Sequence, residues 1–155
     1  MTKTFLIAAV ATAALFGAAS TAEAARTTGK VELKGSVATV CEVTVTDLKA
    51  DLNLTRGEKG KKVASVEEHC NDHDGYTITF DSSNNGSLKS KDNDRIAYTV
   101  NYDNQSRKSL NNDLTLRRNS AQFRKNHDLF INIDASNTRV AGDYSDSITV
   151  EIRAK

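Results

Sequence analysis

The sequence predicts an all-β protein built as an antiparallel sandwich, and three observations carry that expectation. The segments "KVELKGSVATVCEVTV", "KKVASVEEHC", "GYTITF", "RIAYTVNY", "DLFINID" and "DSITVEI" alternate apolar with polar residues and are rich in Val, Ile, Thr, Tyr and Phe. Clusters of Asn, Asp, Gly and Ser, the residues that turn a chain, separate them. After the first 24 residues no stretch sustains a helical period. Strands at this density in one domain form two sheets, each with one apolar and one wet face.

In chain order, the first 24 residues read as a secretory signal: Lys3, the apolar run "FLIAAVATAALFGAA", then small residues at Ala22 and Ala24, after which cleavage is expected. That run is too short and too Ala-rich for a membrane span, and no later stretch is long and apolar enough to be one. Residues 25–155 suffice for one domain with one core. The formal net charge is +1, and the signal carries away one charge of each sign, Lys3 and Glu23. Such a balance gives no argument for nucleic acid or an acidic membrane surface. The basic run "RRNSAQFRK" reads as a solvated loop face.

The next segment, "GKVELKGSVATVC", places Val31, Leu33 and Val37 on one parity with Gly29 and Gly35, and Glu32, Lys34 and Ser36 on the other. It reads as a strand with one apolar edge of side chains. Two cysteines follow, Cys41 and Cys70. In an exported chain their simplest reading is one disulfide, worth roughly 3 to 4 kcal/mol by loop entropy; metal thiolates and a catalytic thiol are the alternatives, and neither cysteine lies in a C-x-x-C pair. Leu52 and Leu54 are the apolar anchors of the polar stretch between the first two strands.

The densest ionisable cluster, "EEHCNDHDG", invites a metal reading, but His69 and His73 are four apart at a strand end rather than on a helix. Against the calcium-loop pattern it lacks oxygen ligands at the required positions. Glu67 and Glu68 are adjacent on a strand and so point to opposite faces, unlike a glycosidase pair. There is no G-x-S-x-G and no phosphate-cradling glycine loop. No catalytic, metal or cofactor residue is assigned, and the chain reads as a non-enzyme.

Further on, Asn85-Gly86 in "DSSNNGS" has the chemistry of a tight turn. Two long polar connections are expected, "KSKDND" and Asp103 to Asn126, the second long enough to hold short extra strands or a mobile loop. In the last segment Ile148, Val150 and Ile152 share one parity and face inward, with Thr149 and Glu151 on the other. Proline is absent, so strand edges lack one guard against pairing with other chains.

Three parts of the sequence resemble the chaperone-usher pilins, most closely the archaic branch that shares the spore coat protein U-like domain. They are the alternating "GKVELKGSVATVC" ahead of the first cysteine, "VASVEEHCNDHDGYTITF" around the second, and "AGDYSDSITVEI" before the C-terminus. The resemblance implies an immunoglobulin-like sandwich that lacks one strand and is completed by donor-strand exchange. On that model residues 25–35 are the donor strand, with Gly29, Val31 and Leu33 its inserted positions, and residues 36–155 are the pilin-like domain. Ile148, Val150 and Ile152 border the acceptor groove.

The partners implied are identical or related pilin subunits, a periplasmic chaperone and an outer-membrane usher. The location implied is the cell surface, reached through the periplasm, with adhesion or biofilm formation as the role. The competing reading is a self-complemented monomeric secreted binding module, whose Asp103 to Asn126 connection contacts sugar or protein.

Overall fold

The computed structural model describes residues 26–155; the expected signal peptide, residues 1–24, lies outside them. All regular elements among the described residues are strands, and every pairing is antiparallel. In order they are β1 (Cys41–Asp47), β2 (Glu58–Cys70), β3 (Tyr76–Ser82), β4 (Ser87–Ser90), β5 (Arg95–Ala97), β6 (Thr99–Tyr102), β7 (Gln105–Ser109), β8 (Leu114–Arg118), β9 (Gln122–Ile133), β10 (Tyr144–Ser145) and β11 (Ile148–Ala154). Residues Ser36–Lys155 form one compact unit.

Five strands make one sheet, in the order β1-β2-β9-β6-β7, and three make the facing sheet, β11-β3-β8. A small sheet, β10-β4-β5, lies beside them in sequence between their strands. Alternation decides which side chains fill the core. Along β2, Ala64, Val66, Glu68 and Cys70 are buried while Ser65, Glu67 and His69 between them are not; along β3, Tyr76, Ile78 and Phe80 are buried. Val66, Val100, Leu129 and Ile131 of the first sheet join Ile78 and Phe80 of the second in one cluster. Phe80 meets Tyr102 across it at 4.5 Å between ring centroids. Burying each such side chain contributes about 1.5 to 3 kcal/mol.

The antiparallel sandwich expected from the sequence is therefore present, with several local differences. The first strand begins at Cys41, not at Lys30: residues 26–40 have no strand structure, because a strand exists only as one side of a hydrogen-bonded ladder. Val40 is instead held by Asn71, whose Oδ1 accepts from the Val40 amide at 2.7 Å and whose own amide donates to the Val40 carbonyl at 3.0 Å. "RIAYTVNY" breaks at Tyr98 into β5 and β6, which belong to different sheets. The polar "KSKDND" begins inside β4 rather than as a connection.

The long Asp103 to Asn126 stretch holds β7, β8 and the first residues of β9, so extra strands rather than a loop occupy it. "RRNSAQFRK" is accordingly not a loop face: it closes β8 and opens β9, and Arg118 points inward. The Asn85-Gly86 turn forms as expected, with φ of 53° and 69°.

Candidate functional site

Among the described residues β1 pairs only with β2, and β11 only with β3, so each is the edge of its sheet. Between these edges opens a cleft of about 370 Å³. Its walls are largely apolar: Val45 from β1, Leu52 from the following connection, Val63 from β2, Leu129 from β9, and Ile148 and Val150 from β11. Asp47, Lys49 and Asp146 stand among the lining residues as its charged members. Two unpaired backbone edges flanking an apolar floor is the surface an added strand satisfies, through ladder hydrogen bonds and side-chain burial together.

Of the residues singled out from the sequence, Ile148 and Val150 line this cleft and pack against the core. Ile152 shares their parity and is half-buried, outside the cleft lining. Gly29, Val31 and Leu33 are in water, with Val31 83% and Leu33 91% exposed. The motif "AGDYSDS" leads into β11 beside the cleft. Asp146 accepts from Tyr98 Oη and Ser82 Oγ, both at 2.6 Å, and from the amides of Asn84 at 3.0 Å and Ser147 at 2.8 Å. That carboxylate thus ties the entry of β11 to the ends of β3 and β5. Burial and the bond to Asp146 push the Tyr98 phenol above its usual pKa.

The disulfide joins Cys41 to Cys70, which face each other directly in the β1–β2 ladder with Cα atoms 4.0 Å apart. It fixes the start of an edge strand to the end of a central one.

A second cluster lies inside the sandwich, and the sequence reading missed it. Glu68 is fully buried. Arg118 grips it in a two-pronged bond, Nε to Oε2 at 2.9 Å and Nη2 to Oε1 at 2.7 Å. Tyr102 Oη donates to Oε1 at 2.6 Å, and Tyr76 Oη donates to Oε2. The third arm of the guanidinium, Nη1, donates to Asp103 at 2.7 Å, and His127 Nδ1 lies 3.5 Å from Asp103. Burial pushes the Glu68 carboxyl up, but the bonds from Arg118, Tyr102 and Tyr76 outweigh it and hold the pKa below the usual range. Hydrogen bonding to Arg118 lowers Asp103 likewise.

One signal for this cluster is visible in the sequence: Glu68 shares the parity of Val66 and Cys70, so a charge sits where the core lies and demands a cation. Its acceptor sites are filled by a guanidinium and two phenols, which makes the arrangement a brace and leaves no free group for chemistry. Among the described residues, no group of three or more His, Cys, Asp or Glu is arranged to hold a metal ion, and no helix is long and apolar enough to cross a membrane. His69, from the cluster weighed for metal, turns outward from β2 against the ring of Phe123.

Among solved structures, the chain is similar to the minor tip subunit HdaB of the E. coli Hda pilus, at 15% identity, covering 72% of this chain and 80% of that one with a TM-score of 0.40. No curated protein matches at a significant level. The model of the Spore Coat Protein U domain matches residues 8–151, nearly the whole sequence. The chain therefore belongs to the Spore Coat Protein U domain family and is a structural protein rather than an enzyme.

Proposed function

We propose that this protein is a subunit of an extracellular fibre or coat, assembled by donor-strand complementation. The observation that carries the reading is the apolar cleft between two sheet edges, β1 and β11, in a chain that also presents an alternating segment with Val31 and Leu33 in water. Residues 25–35 of one copy are the donor, with Gly29, Val31 and Leu33 directed into the next copy. Residues 36–155 are the acceptor domain, and Ile148, Val150 and Ile152 its groove-side strand. Before assembly a periplasmic chaperone fills the cleft, and an outer-membrane usher passes subunits to the cell surface, where the fibre supports adhesion or biofilm formation.

Burial of Val31 and Leu33 contributes about 1.5 to 3 kcal/mol each, and each ladder bond about 0.5 to 1.5 kcal/mol, so one strand suffices to link two subunits. The test is electrophoresis of the exported protein without boiling. The parent gives a ladder of polymers, and Leu33→Asp, which sets a charge into the apolar cleft, abolishes the ladder while the domain keeps its far-UV circular dichroism. A parent that runs as a single monomeric band, with Leu33→Asp unfolding it, overturns the proposal in favour of a self-complemented binding module.

A further inference from the structure

Resting on that reading, we propose that the solvent-side charges of the two strands set the register and direction in which one copy's N-terminal segment pairs with β11 of the next. The outward positions of β11 are Thr149, Glu151 and Arg153, all exposed, with Glu151 and Arg153 bonded to each other at 2.6 Å. The outward positions of the N-terminal segment are Lys30, Glu32, Lys34 and Ser36, and Lys30 is bonded to Glu32 at 2.8 Å. Both strands therefore carry an alternating charge sequence on the face that stays wet when the apolar face is buried. The other edge has no such pattern: the outward positions of β1 up to Thr46 are Glu42, Thr44 and Thr46.

Laid antiparallel on β11, the donor residues Val31 to Gly35 run on into Ser36 and Val37, and together they span the strand from Ala154 to Ile148, with Gly29 past its end. Leu33 then faces Ile152, Gly35 faces Val150 and Val37 faces Ile148. On the wet side Lys34 opposes Glu151, Glu32 opposes Arg153, and Ser36 opposes Thr149; Lys30 meets Lys155, past the strand's end. A slip of two residues keeps the apolar parity but sets Glu32 against Glu151 and Lys30 against Arg153 in one direction, and Lys34 against Arg153 in the other. A longer slip that pairs Lys30 with Glu151 carries Val37 beyond Ile148.

Run parallel, the end-to-end alignment keeps one opposite pair, Lys34 with Glu151. The parallel alignment that keeps two takes both Gly35 and Val37 off the strand. Only the antiparallel, end-to-end register matches the apolar side chains along all of β11 and sets two pairs of opposite charges face to face. Opposite charges facing across a ladder stabilise and like charges destabilise by similar amounts, so these residues select register and partner while the apolar face supplies the affinity.

Two measurements on the unboiled polymer test this. Lys34→Glu and Glu151→Lys each shorten the lifetime of the ladder at a fixed temperature by about 2- to 20-fold, and the double reversal in one chain restores it, because each joint regains an opposite pair. Under mild oxidation Ser36→Cys with Thr149→Cys forms a bond between subunits at every joint. Ser36→Cys with Ser147→Cys, which reports the slipped register and leaves all four charges in place, does not, since diagonal neighbours are too far apart to bridge. A double reversal no more durable than the single ones, or a bond at the slipped pair, overturns the register while the ladder itself leaves the fibre reading intact. A parent that forms no ladder overturns both.

Discussion

Tyr76 and Arg118 are direct partners in the β3–β8 ladder, and both side chains reach the same buried carboxylate on the opposite sheet, that of Glu68. One register position thereby ties the two layers of the sandwich together through an ion. Removing a cation from such a site leaves an uncompensated buried charge. Arg118→Met is expected to cost on the order of 3 to 5 kcal/mol. Arg118→Met with Glu68→Leu, which removes both charges, recovers much of that loss. Urea unfolding of the three proteins checks it.

Acid acts on the same brace. Glu68 and Asp103 both have folded-state pKa values held below the usual range, so their contribution is present above the unfolded values near 4 and is lost as pH falls through the folded ones. The urea midpoint is expected to fall as pH drops below about 5. Glu68→Gln, though less stable at pH 7, shows a shallower fall between pH 5 and 3.

Exported, unreduced protein is expected to present no thiol to a labelling reagent after unfolding, since Cys41 and Cys70 are bonded. Cys41→Ala with Cys70→Ala loses about 2 to 5 kcal/mol of stability, a large share of what a small domain has. Two reactive thiols per unreduced chain would show the bridge to be absent.

Val150 packs on the core from the strand that borders the cleft. Val150→Asp places an unpaired carboxylate there, and a fall in export yield and in melting temperature of the purified domain is expected. Glu151→Ala, one residue along and facing water, leaves both unchanged. Equal melting of Val150→Asp and the parent overturns the inward assignment of this strand.

At Gly75 the backbone adopts φ +84°, and a Cβ added there would run into the carbonyl of Arg118. Gly75→Ala is therefore expected to destabilise the start of β3 beside β8 by more than the roughly 1 kcal/mol of a simple αL penalty. Thermal melts against Gly60→Ala, whose added Cβ meets open space, separate crowding from backbone strain.

The strands that the alternation announced are those with one buried face, because a period of two records burial directly. β2, β3 and β11 are of this kind. Segments whose partner is a distant stretch of chain were not legible. Residues 30–40 alternate as well as any strand, yet none of the described strands pairs with them. Tyr98 lies in an unbroken apolar alternation, and only its bonds to Gly86 and Asp146 reveal that the chain changes sheets there. Arg118 sits in a run of charges that looked solvated, and its neighbour Glu68 is 50 residues away in sequence. Parity marked Glu68 as inward; what it required, a guanidinium and two phenols from three other strands, is a fact of tertiary packing.

The bond between Cys41 and Cys70 also sets how the domain bears tension. A pull on the chain ahead of Val40 enters at the first residue of β1, where the covalent link passes it straight to the end of the long central strand β2. β1 is then shielded from being peeled away rung by rung, the weakest way to load a ladder, and the strain spreads into β2 and its neighbour β9. Reduced, the same pull would unzip β1 from its Cys41 end, and the cleft would lose one wall before the core felt any load.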